Sequence, residues 1–142
     1  MGVCLRSKNK SVDMGYFSFN RLRQRLADML SDEWSKHYAL VHDSCMWSNE
    51  QAKAYDAKTN AMYADEKKWR RLAIVFLYKP DTGGKLGRKG CKSLAKLMDK
   101  NKEMWESSYE QFGYVAHMSF TLADFREMLQ DGIDTGKGIR WS

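Results

Sequence analysis

A chain of 142 residues can build one domain with a real core and is too short for two ordinary ones. Its 43% hydrophobic and 13% aromatic content excludes a disordered chain, and the longest apolar run, 72–78, falls far below the roughly 20 residues of a membrane span. The formal charge of +6 is unevenly spread: residues 1–30 hold six basic side chains against two acids, 31–65 three against six, 66–102 twelve against three, and 103–142 three against seven.

Residues 2–6 and 11–16 read as short strands joined by a polar turn, "SKNK". A helix is predicted from about Phe17, because Phe19, Leu22, Leu26, Met29 and Leu30 recur at steps of three and four and share one face. Arg21, Arg23 and Arg25 are expected on its other sides. Ser31 is a natural N-cap, followed by acids that suit the positive end of the helix dipole. In that second helix Trp34, His37, Tyr38 and Val41 form the apolar face.

Ser48 and Gln51 have capping-box spacing and open a third helix, with Ala52, Tyr55, Thr59 and Met62 inward. The segment "KKWRRLAIVFLYKP" fits a helix through Trp69, Leu72, Ala73, Phe76 and Leu77, and Pro80 ends it by pushing Lys79 out of the helical region. Residues 81–90 read as the one long loop. A helix from Cys91 carries Leu94, Leu97 and Met98 inward and continues through Trp105, Tyr109 and Phe112 towards Gly113. Residues 114–120 alternate as a strand. Thr121, with Asp124 three residues on, caps a last helix, and "GIRW" closes the chain as an edge strand. The expected architecture is α+β: a single domain over 1–142, mainly α with five to six helices, and a small antiparallel sheet.

The glycine- and lysine-rich stretch 83–92 has the composition of a phosphate cradle, in which glycines let backbone N–H groups approach an anion. It matches neither the Walker nor the dinucleotide pattern. Lys85, Arg88, Lys89 and Lys92 are its candidate anion contacts, and Lys8, Lys10, Arg21 and Arg25 are candidate additions to the same basic surface. The alternative is a solvated loop whose lysines serve solubility. Trp47 and Trp141, beside polar or basic neighbours, are candidates for base stacking or an interface, against the alternative of packing back onto the core.

No catalytic or metal-binding signature is present, and no cofactor is expected. Cys4, Cys45 and Cys91 are odd in number and widely spaced, which excludes a disulfide framework and a zinc site. Cys91 follows basic residues at a helix start, where a thiol's pKa would fall. His37 and His42 are five residues apart and His117 is remote, so no metal-binding pair is indicated. Glu103, Glu106 and Glu110 are expected to share a solvated helix surface.

The pattern Gly2-x-x-Leu5-x-Ser7-Lys8, then Ser11-x-Asp13-Met14-Gly15-Tyr16 and Arg21-Leu22-Arg23, resembles the start of small uncharacterised proteins of phages and mobile elements of Gram-positive bacteria. The end is similar too, through Leu129-Gln130-Asp131, Asp134 and Arg140-Trp141, whereas the middle is not covered. The departure is Phe17-Ser18, where that pattern would have a glycine. The resemblance implies an accessory role, such as interference with host defence, and a place in the bacterial cytoplasm. The expected function is a non-enzymatic binding protein whose basic surface engages nucleic acid, a phosphorylated nucleotide or a nucleic-acid-handling host protein. The alternatives are an enzyme for a phosphorylated substrate, using Cys91 or a carboxylate, and a self-associating structural protein.

Overall fold

Apolar side chains alternate with polar ones at Val3, Leu5, Val12 and Met14, the period that buries one face of a strand. The computed structural model, which describes residues 2–115 and 118–142, shows what that alternation builds. Strands β1 (Val3–Arg6) and β2 (Ser11–Met14) form a hairpin, followed by helices α1 (Tyr16–Leu30) and α2 (Asp32–Ala39). A 3-10 turn, Leu40–Met46, leads to α3 (Asn49–Ala64) and α4 (Lys68–Tyr78). Then come β3 (Gly84–Leu86), α5 (Arg88–Lys100), β4 (Gly113–Val115), β5 (Met118–Phe120), α6 (Leu122–Thr135) and β6 (Ile139–Trp141). The strands make one antiparallel sheet in the order β3-β6-β1-β2-β4-β5. The fold is α+β, with six α-helices among the described residues.

The sheet's inner face supplies Val3, Leu5, Val12, Met14, Leu86, Phe120, Ile139 and Trp141 to the core. Against it α1 buries Phe19, Leu22 and Leu26, α4 buries Phe76 and Leu77, α5 buries Leu94 and Leu97, and α6 buries Phe125 and Leu129. Phe19, Phe76 and Trp141 meet with ring centroids 5.2–5.9 Å apart and form the joint between the layers. The expected caps are present: the Ser31 hydroxyl accepts from the Trp34 N–H, and Ser48–Gln51 and Thr121–Asp124 form reciprocal capping boxes. Pro80 directly follows Lys79, the extended cap of α4. The helix α3 buries only Met62 and leans on the rest through aromatic side chains, with Tyr55 stacked on His37 at 4.0 Å.

The structure corrects several sequence expectations. Residues 81–90 are not one loop: Gly84–Leu86 pairs with β6, and α5 begins at Arg88. The strand β6 is therefore not an edge; it lies between β3 and β1. The helix α5 stops at Lys100 rather than running to Gly113, because the Asn101 side-chain N–H donates to the Leu97 carbonyl and the Trp105 indole N–H folds back onto the Met98 carbonyl at 2.7 Å. Trp105 and Phe112 are buried as expected but lie outside that helix, and Tyr109 is exposed. Arg23, finally, is not on an outer side of α1: it is 4% exposed. Instead of one strand over 114–120 there are two, β4 and β5, paired antiparallel, and Ala116 and His117 lie outside the described residues.

Candidate anion-binding face

Residues directly opposite one another in antiparallel strands project from the same face of a sheet. Arg6 stands opposite Arg140, and Arg140 stands opposite Lys85. Their strand neighbours Leu5, Ile139, Trp141 and Leu86 point into the core. The three cations therefore form one row across β1, β6 and β3 on the outer face, away from the helical layer. Neighbouring strands lie about 4.8 Å apart, so the row is closely spaced, and like charges directly opposite destabilise a sheet. Among the described residues none of the three takes part in an ion pair.

The row borders a shallow cavity of about 250 Å3 that is also lined by Lys8 and Lys137. Four cations (Arg6, Lys8, Lys137 and Arg140) and no carboxylate line it. The Arg6 Nε is buried without a hydrogen-bond partner, while its Nη2 donates to the Ser142 hydroxyl. Lys8 and Lys10 stand exposed on the turn between β1 and β2. That turn is pinned from α6: the Ser7 hydroxyl and the Asn9 backbone N–H donate to one Asp131 oxygen at 2.5 and 2.9 Å, and the Asn9 amide donates to the other at 2.8 Å. Hydrogen bonds from Ser7 and Asn9 hold the Asp131 carboxyl below its ordinary value. It stays ionised, and the lysines beside it keep a fixed perch.

The other half of the outer face differs. Cys4, Asp13, Tyr114 and Ser119 form the parallel row, in register across β1, β2, β4 and β5. Tyr114 is 63% exposed. Two strands and two residues separate it from Arg6, or about 12 Å from strand geometry.

The other candidates fall elsewhere. Arg88 opens α5 next to β3 and donates to the Ile133 carbonyl, whereas Lys89 and Lys92 are exposed on α5, in the helical layer. Arg21 and Arg25 are not free surface cations. Both bind the Glu110 carboxylate, at 2.9 and 2.7 Å; Arg21 also donates to the Gln111 carbonyl, and Arg25 to Asp28. Burial alone would raise the Glu110 carboxyl, but its two arginines override that and hold it low. Glu110 is thus no part of a solvated helix row. Trp47 is half-buried against Tyr55. Trp141 is 2% exposed, and its indole N–H donates to the Pro80 carbonyl at 2.8 Å, so it is a core residue and no stacking platform.

The most basic segment, 66–102, commits much of its charge internally. Arg70 binds Glu66 and donates to the Leu30 carbonyl; Arg71 donates to the Tyr63 and Ala64 carbonyls at the end of α3; and Lys96 lies 4.4 Å from the Trp69 ring centre. Cys91 is fully buried, and desolvation pushes its thiol up to about 11, the opposite of an activated nucleophile. Sequence reasoning missed Arg6, Lys137 and Arg140. The signal for two of them was the strand alternation, out–in–out in "CLR" and in–out–in in "IRW", but the register that aligns them is visible only in the sheet.

No family model matches this chain, and neither a curated protein nor a solved structure is found to match it. Among the described residues no helix is long and apolar enough to cross a membrane.

Proposed function

We propose that the outer sheet face binds the phosphate backbone of a single-stranded nucleic acid, and that the protein acts by binding rather than by catalysis. One observation carries this reading: Lys85, Arg140 and Arg6 lie in cross-strand register, without ion-pair partners, beside a cavity that adds Lys8 and Lys137. A row of like charges weakens the sheet that holds it, and phosphates spaced along a strand would relieve that repulsion. Exposed Tyr114 on the same face offers a base a stacking partner, and the intervening Asp13 would turn phosphates away from that end. The resemblance at the chain's two ends supports an accessory role in a phage or mobile element, with interference in host defence as its setting.

The test is fluorescence anisotropy with a labelled single-stranded oligonucleotide across a salt series. Affinity should fall with salt, and the triple variant Lys85→Gln, Arg140→Gln, Arg6→Gln should bind at least about tenfold more weakly, with a log–log salt slope smaller by about two. Binding that ignores salt, or a folded triple variant that binds like the wild type, would overturn the proposal. Selective loss of binding in Tyr114→Ala at unchanged salt slope is the expected mark of base stacking.

A further inference from the structure

Arg23 sits where a hydrocarbon side chain would normally be. Its guanidinium carbon lies 4.3 Å from the ring centre of Phe19, 5.4 Å from that of Phe76 and 5.9 Å from that of Trp141, and the residue is 4% exposed. Its Nε and Nη2 have no hydrogen-bond partner, and no carboxylate among the described residues forms an ion pair with it. The aromatic faces offset part of the cost of burying this charge, but a cation packed against rings remains poorly compensated. Desolvation accordingly pulls its pKa below the ordinary arginine value, with Tyr38 partly restoring it.

The same side chain lines a cavity of about 390 Å3, between α1, α2, the 3-10 turn and the end of α4. Tyr38, His42, Tyr78, Lys79 and Asp81 share its wall. Two cations thus face one carboxylate. Burial pushes the Tyr38 hydroxyl up to about 12, which keeps it a neutral donor near neutral pH. Tyr78 is occupied: the Tyr55 hydroxyl donates to the His37 carbonyl at 2.9 Å, so the Tyr78 hydroxyl is the donor in the 2.9 Å contact between the two phenols. The volume lies in the range of small-molecule sites and exceeds what a bare inorganic anion fills.

We propose that this cavity binds a small phosphate monoester, its phosphate held by Arg23, Tyr38 and Lys79 and a hydroxyl or amine of the remainder donating to Asp81. A phosphate near neutral pH carries enough charge to satisfy both cations, and its oxygens accept from the phenol as well. Asp81 would repel a second phosphate, which favours a monoester over a polyphosphate. The site lies in the helical layer and shares no residue with the sheet-face row, so it stands independently of the proposed nucleic-acid contact.

The test is calorimetric titration of the full chain with adenosine monophosphate, inorganic phosphate and adenosine. Adenosine monophosphate should bind saturably, phosphate more weakly, and adenosine not measurably. Arg23→Met and Lys79→Ala should each weaken adenosine monophosphate binding by about tenfold or more, while Arg6→Gln/Arg140→Gln leaves it unchanged. Where Arg23→Met fails to fold, Lys79→Ala and Tyr38→Phe decide. The proposal is overturned if neither phosphate species binds, if binding survives in the Lys79 and Tyr38 variants, or if it is lost only with the sheet-face cations.

Discussion

At the scale of single residues, the largest change from the linear reading concerns Glu110. It draws Arg21 and Arg25 onto one carboxylate, each bond short and none fully exposed. Glu110→Gln should therefore cost about 1–2 kcal/mol in urea denaturation, a charge-assisted pair discounted for its partial exposure. Arg21→Gln/Arg25→Gln should leave oligonucleotide affinity unchanged, because those cations already have a partner. His37 makes a second residue-level prediction. The Thr59 hydroxyl donates to the Tyr55 carbonyl, so the 2.6 Å contact from Thr59 to His37 Nε2 requires Nε2–H as donor. That leaves Nδ1 bare, buried and without a partner. Desolvation, with the charge of Lys58, lowers the His37 pKa below 6.5, its ordinary value. In the unfolded chain the imidazole takes up its proton at the higher pH, so stability is full above about 6.5 and falls as pH drops below it. Denaturation midpoints at pH 7.5 and 5.5 should show this loss, and His37→Phe should reduce it. An equal loss in that variant would assign the effect elsewhere.

At the scale of elements, the informative segment is the one that reads as a loop. Two of its glycines, Gly84 and Gly90, are required by close packing. A Cβ on Gly84 would lie 2.5 Å from the Trp141 ring, so only glycine lets β3 pass over the indole. Gly138, with φ +66°, introduces β6; a Cβ there would run into the Leu86 carbonyl and lie 2.9 Å from the Gly87 Cα. Gly87, one residue past Leu86, has nothing within 4 Å of its absent Cβ. Gly138→Ala should thus lower the midpoint of thermal unfolding sharply, by the equivalent of about 3 kcal/mol or more, whereas Gly87→Ala should be near neutral. Similar effects from the two substitutions would show that the β3–β6 pairing does not hold this corner. Periodicity made the helices readable, and caps at Ser31, Ser48 and Thr121 marked their starts. It could not reveal β3, because three residues bounded by glycines carry too little pattern. Nor did it stop α5, whose end depends on the Trp105 side chain reaching back to Met98.

At the scale of the whole molecule, the distribution of charge matters more than its sum. The segment with the largest basic excess ties helices together, while the proposed face collects one or two cations from each of three distant stretches: Arg6 and Lys8, Lys85, and Lys137 and Arg140. Two of those five come from 103–142, a segment whose overall balance is acidic. Such an assembly should leave its mark on stability. Because the row is repulsive when empty, the triple glutamine variant should be as stable as the wild type or more so at low salt. Added salt should stabilise the wild type more, as screening relieves its repulsion. A variant clearly less stable than the wild type at every salt concentration would mean that these side chains hold the sheet together.

What the sequence determined by itself was local. Hydrophobic period, capping residues and the one proline specify where most helices run and which faces they bury, because these signals act within a turn or two of helix. The first two strands were legible for the same reason. Arg23 was within reach of the same logic, since 19, 23, 26 and 30 follow helical steps, yet charge masked its place in the core. Tertiary structure alone decided what depends on pairing across the chain. Register aligns Arg6, Arg140 and Lys85, Asp131 anchors the turn bearing Lys8, and Glu110 removes Arg21 and Arg25 from the surface. A cation's availability is set by what lies a few ångströms away, and in these pairings the two residues stand 55 to 134 positions apart along the chain.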